Sequence, residues 1–309
     1  MTDSSSPSGP LIVGIDGGGT SVRVAIADLE GTVIAEAEGP GINPNSGGDP
    51  RAIGQTLRRA LSMAPAGAPA RIVGGVAGLA GFLSRPEPLR TATLEAWSDS
   101  GLAGEVTVVS DLVVAFWSGV AWVEEPGAQT SGGAVLIGGT GAVAALIEGA
   151  QQIALADGYG YLLGDRGAGV WLGIEVVRAA LDGASGRGPQ TLLTDLVLKG
   201  RDRTQLIAEV YGQAPREIGS YAKLLAGAVE AEDAVAVAIV DRAVSELIDT
   251  IDSLPQTDTT RPLVLVGGVA AGDNPVGEGL RNRLEEEGRS YRLGGSGLRG
   301  ALTLAARSL

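Results

Sequence analysis

The chain has 309 residues, and its 36 acidic against 23 basic side chains leave a net charge of −13, which disfavours nucleic acid and anionic membrane as partners. Hydrophobic residues make up 44%, glycines number 49 and aromatics are only 4%, the composition of a compact α/β protein with many tight turns and room for two domains. Cysteine and histidine are both missing, which excludes disulfides, thiolate nucleophiles, Fe–S clusters, Cys-based zinc sites and a catalytic imidazole. A general base must therefore be a carboxylate or, failing that, a Lys or Tyr. Lys199 and Lys223 are the only lysines and neither follows a Gly-rich loop, so a P-loop is ruled out. No apolar run approaches the ~20 residues of a membrane span. The polar stretch Met1 to Pro10 reads as a loose tail without a signal pattern, so a cytoplasmic enzyme is expected.

In chain order, Leu11-Ile-Val-Gly-Ile-Asp16 is an apolar strand, Gly17-Gly-Gly-Thr20 a turn, and Ser21 to Ala27 alternates like a second strand. Backbone N–H groups of such a turn can cradle an anion, and Asp16 beside it can hold a hydrated Mg²⁺ on phosphates. The competing reading is a tight hairpin whose Asp serves only its own turn. Thr32 to Ala37 follows as a strand, and Gly39 to Gly48, which includes Asn43, as a loop. Asp49-Pro50 opens a helix to about Met63. Arg71 to Val76 is a strand, Pro86 to Ser100 a helix, Glu105 to Ser110 a strand, and Leu112 to Trp122 a helix.

After a loop at 126–133 the opening pattern recurs as strand Ala134 to Ile137, turn Gly138-Gly-Thr-Gly141, strand Ala142 to Ile147 and strand Gln152 to Ala156. We read this as an internal duplication of architecture. The loop Asp157 to Gly169 leads into a helix to about Leu181, and Pro189 to Leu254 is helical in periodicity, broken at Gly200 and at Gly212-Gln-Ala-Pro215, with acidic Glu230-Ala-Glu-Asp233 starting the last long helix. Leu263 to Val266 is a strand closed by Gly267-Gly268, Asn274-Pro275 starts a helix, Tyr291 to Leu293 is a strand, and Leu298 to Leu309 is a last helix.

Three Gly turns each follow an apolar strand, where α/β folds place ligands, and together they point to a nucleotide. Gly295-Ser-Gly-Leu-Arg-Gly300 matches a dinucleotide fingerprint, but too few residues follow for a βαβ unit. Asp111 reads as a helix N-cap or as a hydroxyl-activating base; Asp165 as an N-cap or an acceptor for two sugar hydroxyls; Asn43 as a turn former or a sugar contact. Tyr159 and Trp117 are core or sugar-stacking candidates, with core favoured for Trp117.

The ordered motifs Asp16-Gly-Gly-Gly-Thr20, Ser110-Asp111, Leu136-Ile-Gly-Gly-Thr-Gly141, Gly158-Tyr-Gly-Tyr-Leu-Leu-Gly-Asp165 and Leu265-Val-Gly-Gly-Val269 resemble the BadF/BadG/BcrA/BcrD ATPase family of the sugar kinase, actin and heat-shock chaperone superfamily. Within it the chain looks most like the amino-sugar kinases. The resemblance implies two ribonuclease-H-like, actin-like ATPase lobes, residues 11–118 with 298–309 and residues 119–297, with ATP between them and closure on the sugar. It implies that Asp16 holds Mg²⁺ and that Gly17, Gly18, Gly19 and Thr20 with Gly139, Thr140 and Gly141 hold the phosphates. Gly267 and Gly268 would flank the nucleoside. Asp111 would be the base, with Asn43, Thr140, Gly158, Tyr159 and Asp165 around the sugar.

The acetamide-holding polar residues that the resemblance implies after the second turn are replaced by Ala142 and Val143, and Arg166 follows Asp165 where many relatives carry Glu. The expected activity is ATP-dependent phosphorylation of glucosamine, with N-acetylglucosamine or a broader hexose as the alternative acceptor. Partners are a small amino sugar, with no nucleic acid or membrane and with a homodimer left open. The reductase- and dehydratase-activating branch needs cysteines and is excluded. A non-catalytic actin-like nucleotide switch is a remaining, weaker reading.

Overall fold

In a computed structural model, residues 9–122, 130–255 and 261–309 are described. Residues 1–8 of the expected tail and 126–129 of the expected loop lie outside them.

The first five strands are β1 (Leu11–Gly17), β2 (Ser21–Asp28), β3 (Val33–Pro40), β4 (Ile72–Leu79) and β5 (Glu105–Ser110), with helices α1 (Ala52–Met63), α2 (Pro86–Asp99) and α3 (Asp111–Ser118) among them. They form one sheet in the order β3-β2-β1-β4-β5. The β1–β2 pair is antiparallel, with Asp16 opposite Arg23, whereas β1–β4 and β4–β5 run parallel.

Strands β6 (Gly132–Gly138), β7 (Ala142–Glu148) and β8 (Gln151–Asp157) follow. Next come helices α4 (Gly169–Ser185), α5 (Leu192–Leu198), α6 (Arg203–Gly212), α7 (Pro215–Gly219), α8 (Leu224–Glu230) and α9 (Ala234–Asp252). The chain closes with β9 (Leu263–Val266), α10 (Pro275–Glu286), β10 (Tyr291–Leu293) and α11 (Gly297–Arg307). The second sheet runs β10-β9-β6-β7-β8. Read from its other edge it is the plan of the first, a three-strand meander with later strands added in parallel beside the opening one. The duplication visible in the Gly-turn pattern is thus one of sheet topology.

The chain divides into two compact units, Met1–Gly132 with Ile147–Gln152 and Gly294–Leu309, and Gly133–Leu146 with Ile153–Leu293. This differs from the expected break at residue 118. The Trp122 indole donates to the Leu29 carbonyl at 2.9 Å and the Trp117 indole to the Gly149 carbonyl at 2.8 Å, tying both stretches to the first unit. Each unit has its own core: Ile15, Ile26, Leu57 and Trp97 belong to the first, and Leu136, Val176, Leu247 and Leu265 to the second.

Several element ends move by a turn. Helix α1 begins at Ala52, because Asp49 spends its carboxylate on the Arg51 N–H and side chain. Helix α3 stops at Ser118, before Gly119. The region 189–254 is broken within a residue or two of the expected places, at Lys199 in the left-handed region, at Gln213 and at Glu232. Asp233 caps α9 by accepting from the Val235 and Ala236 N–H groups. Among the described residues no helix is long and apolar enough to cross a membrane.

Helix α11 crosses α3 at Gly300, where a Cβ would strike the Val114 carbonyl and sit 2.8 Å from the Ser118 nitrogen. Gly300→Ala should therefore cost at least ~1–3 kcal/mol, the penalty of overpacking. Gly227→Ala, with open space around it in α8, should be neutral or stabilising by ~0.5–1 kcal/mol. Urea unfolding checks this, and equal midpoints for the two variants would contradict the packing.

Candidate active site

In the first unit, the end of β1 brings a carboxylate and a turn together. The Gly18 N–H donates to the Ser21 carbonyl at 2.8 Å, closing the turn, and the Gly18 carbonyl accepts from the Ile42 and Asn43 N–H groups at 3.0 and 3.3 Å. Asn43 is thereby held beside Gly17 to Thr20. Its Oδ1 accepts from the Asn45 N–H at 2.9 Å, so Asn43 does form a turn, and its position next to the Gly turn is a second property of the same residue. Asp16 pairs with Arg23 across the β1–β2 register at 2.5 Å. Its other oxygen lies against Gly297.

Asp111 follows β5. Ser110, not Asp111, occupies the N-cap position of α3, and Asp111 is the first helical residue. The N-cap reading of Asp111 is therefore corrected. Burial pushes its carboxyl above the ordinary Asp range, and the charge of Asp16 adds to the rise. The Leu112 and Asp111 N–H groups oppose it. A carboxylate whose charge is penalised and whose neighbour is a second carboxylate is a candidate for proton chemistry. Trp117 is core, 3% exposed.

In the second unit the remaining Gly turns meet. The Gly138 carbonyl accepts from both Val269 and Ala270 N–H groups, at 2.9 and 3.0 Å, and Gly267 (φ +95°) passes so close to Gly138 that no Cβ would fit. The Gly139 carbonyl accepts from the Gly169 N–H at 2.8 Å and the Thr140 carbonyl from the Val170 N–H at 3.1 Å. Asp165 is not a helix cap either, since α4 begins at Gly169 with Ala168 at its N-cap. Instead its carboxylate sits where a side chain on Gly141 would be. Burial raises the Asp165 carboxyl and the charge of Asp157 adds to this, while the N–H groups of Ala142 and Gly160 pull it down. Gly158 donates to the Ala142 carbonyl at 3.1 Å, and Tyr159 stands 68% exposed.

A cavity of about 440 Å³ opens beside these turns, lined in part by Gly139, Thr140, Gly268, Asn274, Arg216 and Lys223. Its size is that of a small-molecule site. The Cα faces of Gly139 and Gly268 have nothing within 4 Å. Neither Arg216 nor Lys223 is ion-paired among the described residues. Open backbone, two free cations and no acidic lining group fit a nucleoside polyphosphate. Asn274 is structural, capping α10 through Oδ1 and bonding the Gly268 and Val269 carbonyls through Nδ2. Arg216 and Lys223 are missed by sequence reasoning. The signal that places them is small-residue packing: a side chain on Gly173 would strike the Ile218 carbonyl, and Gly219 packs on Gly169.

Among the described residues no group of three or more acidic side chains could hold a metal ion. A cation at Asp16 would accordingly be one shared with phosphates and water, the usual state of Mg²⁺ with nucleotides.

The model of the BadF/BadG/BcrA/BcrD ATPase family matches residues 13–294. The chain belongs to that family. It is similar to the N-acetylmuramic acid/N-acetylglucosamine kinase of Clostridium acetobutylicum, 26% identical over 262 residues, covering 79% of this chain and 78% of that one. It is also similar to the glucosamine kinase GspK of Vibrio cholerae, 25% identical over 274 residues and 84% of each chain. A solved structure from Chromobacterium violaceum, described as a candidate N-acetylglucosamine kinase, superimposes with a TM-score of 0.69 at 24% identity, covering 96% of this chain and 99% of that chain. The fold of this family member is thus the two-lobed, actin-like one of the sugar kinases, as the ordered motifs imply.

Because the Asp111 carboxyl is raised, its ionised form costs stability, and that cost appears as pH rises above the ordinary Asp value of 3.8. Asp111→Asn should raise Tm at pH 8 and do so less at pH 4. A fall in Tm at pH 8 in a thermal melt would mean that Asp111 serves the start of α3 instead.

Proposed function

We propose that the protein transfers the terminal phosphoryl group of ATP to the 6-hydroxyl of glucosamine, giving glucosamine 6-phosphate and ADP. The observation that carries the reading is Asp111, a half-buried carboxylate of raised pKa after β5 in a chain that holds no His or Cys. Family membership and relatives named as amino-sugar kinases support the same class of reaction. Bound Mg²⁺ and ATP would supply the phosphoryl group and neutralise its charge, which is most of what this chemistry requires. Asp111 accepts the 6-hydroxyl proton at a carboxylate oxygen. Asp16 takes the metal, and Gly17, Gly18, Gly19 and Thr20 offer backbone to phosphate.

In the second unit Gly139, Thr140 and Gly141 receive phosphate, Gly267 and Gly268 flank the nucleoside, and Arg216 and Lys223 draw the polyanion to the cavity. Asn43, Gly158, Tyr159 and Asp165 are the sugar contacts.

The substituent at C2 decides the acceptor. Ala142 is buried and Val143 packs against Gly158, and neither has a side-chain donor for an acetyl carbonyl. Burying that carbonyl unpaired costs ~1–3 kcal/mol. Asp157 and Asp165 lie on the loop that follows β8 and favour an ammonium. N-acetylglucosamine is the second reading, because two of the relatives are named for it.

In a coupled ATP assay, kcat/KM for glucosamine should exceed that for N-acetylglucosamine by at least ~10-fold, the worth of one hydrogen bond. Equal or reversed values would overturn the acceptor and leave the kinase. ATP consumption that ignores sugar would overturn the kinase and favour a nucleotide switch. Asp111→Asn should lower kcat by ~10²–10⁴-fold, the range of a lost general base; unchanged turnover would remove Asp111 from the chemistry.

A further inference from the structure

The segment after β8 is held in an unusual way. Asp157 (φ +58°) and Asp165 (φ +55°) are both non-glycine residues in the left-handed region, eight positions apart. Conformations of this kind persist only where the surroundings enforce them. Here the Asp157 side chain does so. Its Oδ1 accepts from the Asp165 N–H at 2.9 Å and the Tyr159 N–H at 3.4 Å, and its Oδ2 accepts from the Arg166 N–H at 3.2 Å. Inside this clasp the Leu163 and Gly164 N–H groups both donate to the Gly160 carbonyl, at 3.0 and 2.8 Å. The loop is therefore folded onto one carboxylate.

Both ends of the same loop are stitched to the Gly turn after β6. Gly158 donates to Ala142 at its start, and Gly169 and Val170 donate to Gly139 and Thr140 at its end. Between them the Asp165 carboxylate fills the space that Gly141 leaves by having no side chain. Displacing Asp165 must therefore disturb the Gly139–Gly141 turn, and the reverse. The Arg166 guanidinium is turned away to Glu246, at 3.4 Å, so Asp157 alone bonds both the Asp165 and the Arg166 amides.

We propose that Asp157 is a positioning residue that locks Asp165 against the Gly139–Gly141 turn and so couples occupancy by the acceptor sugar to occupancy by the nucleotide. This rests on the function proposed above. Sugar on Asp165 stiffens the loop, the loop is bonded to the turn, and the turn then meets phosphate already ordered. Nucleotide bound first does the same for the sugar, since binding coupling is reciprocal.

Asp157→Gly is the informative change, because glycine adopts a positive φ freely, so the clasp and its charge are lost without backbone strain. Calorimetric titration of Mg²⁺-ADP with and without saturating glucosamine should give wild-type affinities that differ by at least ~5-fold. In Asp157→Gly the ratio should fall to about 1, with glucosamine KM raised at least ~10-fold. Asp157→Asn keeps an acceptor for the Asp165 N–H, and it should restore part of both effects. Should Asp157→Gly fail to fold, Asp157→Asn decides alone. A reduced coupling ratio with raised KM supports the assignment, and wild-type values overturn it. Wild-type protein that binds ADP and glucosamine without coupling also overturns it, while wild-type protein that binds no ADP overturns the function beneath it.

Discussion

A carboxylate partly withdrawn from water just after a β-strand is the constraint on which the first unit turns. Asp111 is half-buried, has the charge of Asp16 to contend with, and receives only nearby N–H groups in return. Packing alone would favour an apolar residue or an amide there. The cost makes sense where a proton must be taken from a hydroxyl and no imidazole exists in the chain. Asp16 is treated differently by its surroundings. It has Arg23 as a partner across the strand pair, which keeps one of its oxygens engaged and its orientation fixed.

On the proposed function the second unit would present backbone to a polyanion in a protein whose net charge is −13. It does so by removing side chains. Gly138, Gly141 and Gly267 allow strands and loops to approach to the point where a Cβ would collide, and the turns so formed are held by each other's amides. The same economy of side chains seats α7 and the turn after it against α4, so that Arg216 and Lys223 reach the cavity. On the proposed function, these two exposed cations would offset locally the repulsion that the rest of the surface exerts on a nucleotide.

Much of this was legible in the sequence. Apolar runs ending in Gly turns located β1, β6 and β9, and the recurrence of strand, Gly turn, strand exposed the duplicated sheet plan. Asn274-Pro275 announced the helix that Asn274 caps. What was not legible had long-range causes. Asp111 and Asp165 look like caps by position, and only the three-dimensional packing shows Ser110 and Ala168 in those places. Lys223 lies among short helices with no motif, and its relation to Gly139 follows from glycine contacts between distant segments. The clasp around Asp157 depends on two residues adopting the left-handed conformation, for which an Asp in a Gly-rich loop is only a weak sign.

The measurement that bears most directly on Asp111 as the base is the pH dependence of kcat/KM for glucosamine with saturating Mg²⁺-ATP. A base that works only when ionised predicts an acid limb of unit slope, with activity rising as pH climbs through a pKa above the ordinary Asp value of 3.8. A profile that stays flat down to pH 4.5, while the protein remains folded, would contradict the account.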